Sequence, residues 1–376
     1  MNVAIEKELN LNKSSWKPVK FGDVVTEPKE STRDIVGDGF EHIVGLEHIE
    51  TENIHLKRWM EVGGETTFSK VFRKGDVLFG RRRAYLKKAA LANFDGVCSG
   101  DITVFRTKPN LLPDLLPFIV NNERFFDYAI KHSAGGLSPR VKFKDLANFE
   151  FLLPPKEEQK KLAELLWTMD DVVEKEKMTL EKLEIVKKTN SAKLLSNIIT
   201  TTKLKDLADI IMGQSPDGKT YNKEGRGMAF LQGNAEFTDF GPANVLFTTA
   251  PNKIAKPNDI LISVRAPVGE LNIAQKEFCI GRGLAAIRLK DPKLINFVFE
   301  YIKNSKDELH RLSTGSTFKA INKDILHGLE IKISHENKEN EKILNFYNVI
   351  NKDITTCETK IYSSKSLQKS LINQIF

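Results

Sequence analysis

The sequence has little cysteine and no long apolar run, and both shortages exclude classes of protein. Cys98, Cys279 and Cys357 lie far apart in the chain of 376 residues, and none of them belongs to a C-x-x-C pair. This spacing argues against a disulfide framework and against a cysteine-bound zinc site. No apolar stretch reaches the ~18 residues of a membrane span, and residues 1–16 lack the apolar run of a signal peptide. We therefore expect a cytoplasmic protein with no membrane contact.

The residues of several catalytic sites are missing as well. A methyltransferase would carry a glycine-rich loop for S-adenosylmethionine and an Asn/Asp-Pro-Pro-aromatic motif, but the only Pro-Pro pair, Pro154-Pro155, follows Leu153 and precedes Lys156. No acidic pair of the nuclease type stands out. The histidines between residues 42 and 55 share no strand or helix face, so we predict no metal site. We expect that this chain is not an enzyme by itself.

One stretch matches a nucleotide-binding motif at every position. Residues Gly213–Thr220 read G-Q-S-P-D-G-K-T, which fits the phosphate-loop pattern G-x-x-x-x-G-K-[ST]. Such a loop follows a strand and opens a helix, whose N-terminus holds the phosphates. Residues Tyr221–Gly227 contain two glycines and do not form a stable helix. A P-loop nucleotide-binding enzyme remains the alternative interpretation, and such a protein would bind ATP tightly by itself.

The formal net charge of +7 favours an anionic partner, and nucleic acid is the leading candidate. Basic residues follow a predicted strand and a glycine loop, where a rigid element would present them, and Arg288 lies at a related place in the second half. Arginine can read guanine edges or hold phosphate, whereas lysine mainly supplies charge. The candidate DNA-binding residues are Arg81, Arg82, Arg83, Lys87, Lys88, Gly135, Gly136, Arg140 and Lys142, followed by Arg265, Arg282, Gly315 and Lys319.

The first half of the chain recurs in the second at an offset of about 180 positions. Lys74–Gly80 and Pro257–Ser263 read as the same turn feeding the same strand. The glycine loop Ser133–Gly136 falls on Ser313–Ser316. The chain is therefore expected to contain two copies of one globular unit.

Each copy combines short strands with helices. In segment 16–155 the β-branched or alternating runs are separated by Gly, Asp and Asn, and a helical patch follows at Leu111–Lys131. Lys144–Leu146 and Phe149–Leu153 are predicted to form the last strand. Pro154-Pro155 then stops that strand before a long helix begins.

Two long stretches, Lys156–Asn197 and Glu339–Phe376, carry apolar positions whose spacing alternates between four and three. This spacing is a heptad seam on a long helix. A helix of roughly 38 residues spans about 57 Å, and its apolar stripe is buried most simply against the other helix. The candidate helix-pairing residues are Leu162, Leu166, Met169, Val173 and Leu180 on the first helix and Ile343, Tyr347, Ile350, Ile354 and Ile361 on the second.

Chain connectivity predicts the architecture. The first helix ends only a few residues before the second globular part begins, so that part is expected at the far end of the helix, and the second helix must return antiparallel. We predict an α+β chain with two repeated α/β domains, 1–155 and 198–334, separated by long antiparallel coiled-coil helices, 156–197 and 335–376. A pseudo-twofold would relate the two halves.

This duplicated plan resembles the specificity subunit of Type I restriction–modification enzymes over nearly the whole chain. The residues that carry the resemblance are Gly213–Pro216, Tyr221-Asn222, Gly225, Phe230–Gly233, Gly75–Arg82 and Leu152–Gln159. The sequence departs from the family at two places. The second domain has no run that matches Arg81-Arg82-Arg83, and Ser334-His335-Glu336 replaces the Pro-Pro entry to the second helix.

The resemblance implies that each globular part is a target-recognition domain for one half of a split double-stranded DNA site. It also implies that the helices hold modification subunits, which bind S-adenosylmethionine and methylate adenine, and that restriction subunits join the complex. ATP and magnesium are then expected on partner subunits, and this chain is expected to bind no cofactor. A coiled-coil adaptor without a DNA role is a further, weaker alternative.

Overall fold

The chain divides into two units. The computed structural model describes residues 12–63, 66–238, 241–243, 246–313, 320–334 and 337–376. Unit 1 comprises Met1–Thr179 with Cys357–Phe376, and unit 2 comprises Leu180–Thr356. Both units mix helix and sheet, and a helix of 41 residues runs from the first into the second. The predicted fold class is confirmed.

The described part of unit 1 contains one strand pair and two four-stranded sheets. The strands are β1 (Lys17–Lys20), β2 (Val25–Thr26), β3 (His42–Val44), β4 (Met60–Glu61), β5 (Lys70–Phe72), β6 (Val77–Gly80), β7 (Ala89–Leu91), β8 (Gly96–Cys98), β9 (Ile102–Thr107) and β10 (Glu150–Leu153). Strands β1 and β10 pair antiparallel, and β2, β9, β6 and β7 form an antiparallel sheet in that order. The second sheet has the order β4-β3-β8-β5, in which β3 and β8 are parallel.

The two longest helices of unit 1 begin at residues suited to that position. The side chain of Asn122 accepts a hydrogen bond from the Arg124 backbone N–H at 2.8 Å and caps the third helix. The longest helix follows Pro154-Pro155, and two glutamates in its first turn complement the helix dipole. These helices are α1 (Phe21–Val24), α2 (Leu116–Val120), α3 (Glu123–Lys131), α4 (Phe143–Leu146) and α5 (Lys156–Ser196), whose last part enters unit 2.

Unit 2 is built from the elements that follow. Its strands are β11 (Thr201–Lys203), β12 (Ala208–Met212), β13 (Tyr221–Asn222), β14 (Met228–Leu231), β15 (Leu246–Thr248), β16 (Ile254–Ala255), β17 (Ile260–Ser263), β18 (Leu271–Ile273), β19 (Phe278–Ile280), β20 (Leu284–Leu289) and β21 (Glu330–Lys332). Its helices are α6 (Leu204–Leu207), α7 (Ile295–Asn304), α8 (Lys306–Leu312), α9 (Lys323–Gly328) and α10 (Asn337–Ile375), whose end belongs to unit 1.

The sheets of unit 2 repeat those of unit 1. The pair β11·β21 corresponds to β1·β10, and the sheet β12-β20-β17-β18 corresponds to β2-β9-β6-β7. The sheet β13-β15-β14-β19-β16 corresponds to β4-β3-β8-β5, with one parallel pair, β14·β19, and one additional edge strand, β13. The cysteines of the two parallel pairs differ by one position in register. Cys98 pairs with Val44 in the second residue pair of β3·β8, whereas Cys279 pairs with Phe230 in the first residue pair of β14·β19.

Each unit places one central strand between two apolar cores. In β6, Val77 and Phe79 face the core beneath the helices, whereas Leu78 faces a smaller core between the sheets. In β17, Ile260 and Leu261 are divided in the same way. Because successive side chains of a strand point to opposite faces, a strand covered on both faces reads as an unbroken apolar run.

The two long helices pack antiparallel inside each unit. In unit 1, the Gln368 amide donates to Asp170 at 3.3 Å, and Cys357 lies over the Glu176 carbonyl at 3.3 Å. The partner number falls as the α5 number rises, as antiparallel helices require. In unit 2, Lys187 donates to the Asn351 side-chain oxygen at 2.7 Å.

The prediction for residues 144–146 is wrong. Lys144–Leu146 belong to the short helix α4 and not to a strand. The strand β1 offers partners only to Glu150–Leu153, and one helical turn instead buries Leu146 completely in the main core. Helix α9, over Lys323–Gly328, is the counterpart in unit 2.

The described residues contain neither a membrane-spanning helix nor a metal-binding cluster. None of their helices combines the length and the apolar character needed to cross a bilayer. The same residues contain no cluster of three or more His, Cys, Asp or Glu side chains placed to hold a metal ion.

Candidate nucleic-acid interface

A strained basic turn follows strand β6. Ala84–Leu86 form a single 3-10 turn between Arg83 and Lys87, whose φ angles are +54° and +47°. Left-handed backbone at residues other than glycine is uncommon, and each instance costs on the order of 1–3 kcal/mol. The surrounding contacts hold this conformation, and Tyr85 lies at the turn with 52% of its surface exposed.

The glycine loop is tied to this turn. Ala134 and Arg140 exchange two backbone hydrogen bonds, of 3.0 and 2.9 Å, which close the loop at its base. The backbone of Arg140 also forms an antiparallel β-bridge with that of Arg82, and the Arg83 N–H donates to the Pro139 carbonyl at 2.8 Å. The two basic segments therefore form one surface.

The carboxylate of Asp101 binds two arginines of this surface. Asp101 accepts hydrogen bonds from Arg82 Nη1 at 3.0 Å and from Arg140 Nε at 2.8 Å. Burial by itself would raise the pKa of Asp101, but the bonds from Arg140 and Arg82 outweigh it and hold that pKa below its ordinary value. Both arginine side chains stay partly exposed, at 37% for Arg82 and 45% for Arg140. They are thus oriented in advance for a ligand that carries acceptors.

The candidate residues of unit 1 divide into two groups. Arg82, Arg83 and Lys88 line one groove beside Asp101. Lys87 lies elsewhere, since its ammonium group pairs with Glu123. The other candidates are Arg81, which is half-buried, and Gly135, Gly136 and Lys142, which are exposed.

Unit 2 repeats the base of the loop. Arg265 forms a bridge to Ala320 as Arg82 does to Arg140, and the Ile321 N–H donates to the Val264 carbonyl at 2.9 Å. Arg265 and Arg282 are both exposed. The candidates Gly315 and Lys319 lie outside the described residues.

Arg288 is committed to a structural contact. Its Nε and Nη2 donate to the two carboxylate oxygens of Asp259 at 3.0 and 2.7 Å. Arg106 holds Asp76 in the same way, with both distances at 2.7 Å. The expectation that Arg288 belongs with the ligand-facing basic residues is therefore wrong, because its guanidinium already binds a carboxylate that is almost fully buried.

The phosphate-loop match has a different geometry from a nucleotide site. Gly218–Thr220 form a 3-10 turn capped by the Asp217 side chain, and strand β13 follows directly at Tyr221. The Cβ of a residue at 213 would lie 2.1 Å from the Gly281 carbonyl oxygen, so Gly213 serves close backbone packing. The loop does not open a helix, and Gly213 is explained by backbone packing without a bound phosphate.

Two exposed side chains of the unit 1 surface escaped the sequence analysis. Tyr85 lies within the run R-R-R-A-Y-L-K-K, and Leu137 lies at the tip of the glycine loop. An aromatic residue inside a basic run is a recognisable signal for nucleic-acid contact. Nothing in the sequence separates Leu137 from a core leucine, since its exposure depends on the loop.

The helix-pairing candidates lie along the packed sides of the long helices. Leu162, Leu166 and Val173 are buried in unit 1, while Met169 and Ile361 are half-buried there. In unit 2, Ile343, Tyr347 and Ile350 are buried, and Leu180 and Ile354 are half-buried.

The fold and the site together define the class of protein. Each unit pairs the same sheets with a loop base that carries an exposed or partly exposed arginine, and two long helices serve both units. This is the plan of a duplicated nucleic-acid-recognition protein. The chain belongs to the family described as Type I restriction modification DNA specificity domain, which matches residues 13–185 and again residues 199–363.

Known proteins support this membership. The chain is 33% identical over 289 residues to a protein of Methanocaldococcus jannaschii assigned as the MjaX type I restriction enzyme specificity subunit, and the match covers 69% of this chain and 68% of the relative. A chain solved for work on complex assembly and conformational transition of the type I R-M system is 28% identical, with 96% of both chains covered and a TM-score of 0.62. The S subunit of M. genitalium shares the fold at 13% identity, with a TM-score of 0.60 and coverage of 99% and 98%.

Proposed function

We propose that this chain reads a split site in double-stranded DNA, one half through each unit. The observation that carries the proposal is a backbone β-bridge that recurs in both units and places an arginine beside the loop. It joins Arg82 to Arg140 in unit 1 and Arg265 to Ala320 in unit 2. A duplicated fold that presents arginine at the same place twice suits two similar half-sites. The unread spacer then lies between them.

The chain provides recognition, and partner subunits provide the chemistry. Modification subunits would bind S-adenosylmethionine and methylate adenine, and restriction subunits would use ATP and magnesium. Exposed apolar side chains on the long helices support docking there: Leu165 and Val172 in unit 1 and Val349 in unit 2 are 40%, 45% and 62% exposed. Leu165 and Val172 lie seven residues apart and so share one helix face.

Methylation mapping of host DNA tests this function. A host that lacks the chain should lose methylation at one split sequence, and the chain supplied in trans should restore it. Arg265→Ala should relax specificity in one half-site only, because a lost arginine–base contact costs about 1–3 kcal/mol of discrimination. Arg226→Ala, at an exposed arginine of unit 2 paired with exposed Glu224, is the matched control and should leave the methylation pattern unchanged.

The results that would contradict the proposal are specific. An identical methylome with and without the chain excludes the recognition role. Methyl transfer by the purified chain alone excludes the division of labour between recognition and chemistry.

A further inference from the structure

Leu137 is exposed to an unusual degree. Its exposed fraction is 98%, higher than that of any other large hydrophobic side chain among the described residues. Single exposed apolar residues are common on protein surfaces and need no special account by themselves. Leu137, however, lies within the basic surface of unit 1, and this position indicates that its exposure serves a ligand contact.

The loop presents Leu137 from a fixed base. The backbone hydrogen bonds between Ala134 and Arg140 close the loop three residues on either side of the leucine. Gly135 has a φ of +114°, which a residue with a side chain rarely adopts. On the other side of the tip, the Ser138 hydroxyl accepts from Arg82 Nε at 2.5 Å. These contacts hold the tip outward.

The surroundings of the tip suit DNA. The segment from Ser133 to Lys144 contains Arg140, Lys142 and Lys144 and has no acidic residue. Arg82 and Arg83 approach the same loop from the basic turn. A fully exposed leucine is therefore carried by a loop whose own charges, and those of its neighbour, would bring it against a phosphate backbone.

We propose that Leu137 acts as a wedge that inserts between two stacked base pairs of the half-site read by unit 1. This inference rests on the proposed function. Apolar side chains such as leucine are used in this way to unstack and kink a duplex. Because pyrimidine–purine steps unstack most easily, the wedge would give unit 1 a preference for such a step without any base hydrogen bond.

The test uses the full chain and a duplex chosen by selection from a randomised library with the unmodified protein. The adenines of each half-site are replaced in turn by 2-aminopurine, whose fluorescence rises on unstacking. The unmodified chain and Leu137→Met should raise the fluorescence at one step, and Leu137→Ala should not. Affinity should fall about tenfold in Leu137→Ala, equivalent to about 1.4 kcal/mol. The salt dependence of binding should stay unchanged, since no phosphate contact is lost.

The controls separate the wedge from other roles. Ile199→Ala removes an apolar side chain that is 95% exposed in unit 2 and should change neither fluorescence nor affinity. Fluorescence that does not rise with the unmodified chain, or rises equally with Leu137→Ala, overturns the wedge. So does a loss of affinity on replacing one thymine by uracil with no unstacking, which would indicate contact with a thymine methyl group. A selection that enriches no sequence overturns the proposed function itself, and the wedge with it.

Discussion

A buried aspartate fixes an arginine of a neighbouring strand in each unit. Asp76 follows Gly75, and Asp259 follows Asn258, with φ angles of +92° and +70° at the two turn residues. The bond to Asp259 holds the pKa of Arg288 above its ordinary value. At the scale of the residue, arginine therefore has two distinct uses in this chain. Some arginines bind a buried carboxylate and stabilise the fold, and others are exposed to a ligand.

Asp259→Ala should lower the free energy of unfolding by about 2–3 kcal/mol, because Arg288 loses a paired, buried carboxylate. The Lys256 N–H also loses its acceptor, Asp259 Oδ2, at 2.7 Å. Urea unfolding measures the change. Glu224→Ala, which breaks an exposed pair with Arg226, is the control and should cost only about 0–1 kcal/mol. An equal loss of unfolding free energy in the two variants would show that the buried pair stabilises the fold no more than the exposed pair does.

Glu174 should make the stability of unit 1 depend on pH under acidic conditions. Partial burial would raise its pKa, but hydrogen bonds from Lys177 and Lys57 outweigh burial and lower that pKa to about 2 from the ordinary 4.5. Above about pH 4.5 the carboxylate is charged in both the folded and unfolded states, and its stabilisation is complete. As the pH falls toward about 2, the unfolded state binds the proton first and the stabilisation is lost.

Glu174→Gln should therefore flatten the dependence of the unfolding free energy on pH between about 4.5 and 2. Urea unfolding at a series of pH values measures this slope. Glu164→Gln, at an exposed position on the same helix, should leave it as in the unmodified protein. A slope that Glu174→Gln does not change would contradict the assignment.

At the scale of the element, two adjacent residues of α10 distinguish packing from docking. Ile350 is 6% exposed and Val349 is 62% exposed. Ile350→Asp should cost several kcal/mol because it buries an unpaired charge within the packed side of α10. Val349→Asp should change stability by less than about 0.5 kcal/mol but weaken binding of a modification subunit, if that subunit docks on this face. Thermal unfolding and co-purification with the partner measure the two effects.

The opposite pattern would count against this division of the helix surface. A stable Ile350→Asp chain would show that the seam contributes little, and full partner binding by Val349→Asp would place the docking site elsewhere. Ile354, the residue about one turn further along the seam, is only half-buried, so its replacement by aspartate should cost less than that of Ile350.

At the scale of the whole molecule, we predict that the length of the two long helices sets the length of the unread DNA spacer. Half-site centres one turn apart, at roughly 10–10.5 bp, with about 3–4 bp read by each domain, leave about 6–7 bp unread. Deleting one heptad from each helix, residues 173–179 with 354–360, removes about 10 Å of helix. The half-sites should survive while the spacer shrinks by ~3 bp.

Methylation mapping of the deletion variant measures both quantities. Changed half-sites with an unchanged spacer would mean that the helices are not the ruler. Removing only one of the two heptads is the matched control, since it breaks the register of the helix pair and should destabilise the protein.

The sequence by itself determined the repeat, the long helices and the class of protein. Heptad spacing and an offset of about 180 are local or periodic patterns, and they persist in the fold because the candidate helix-pairing positions lie on the buried or half-buried side of each helix. The central strands were equally readable, since strands covered on both faces are unbroken apolar runs such as Val77–Phe79.

Only the tertiary structure decided which polar and apolar residues face outward. Arg288 and Arg265 look alike in the sequence, yet Arg288 binds the carboxylate of Asp259 whereas Arg265 is exposed. Leu137 looks like a core residue until the closure of its loop exposes it. Lys144–Leu146 fold as a helix because β1 has no further residues to pair with them. For Arg288 and for Lys144–Leu146 the outcome depends on a partner distant in the chain. For Leu137 it depends on the bond from Arg82 to Ser138 as well as on the local closure of the loop. The sequence pattern around a residue does not contain a distant partner.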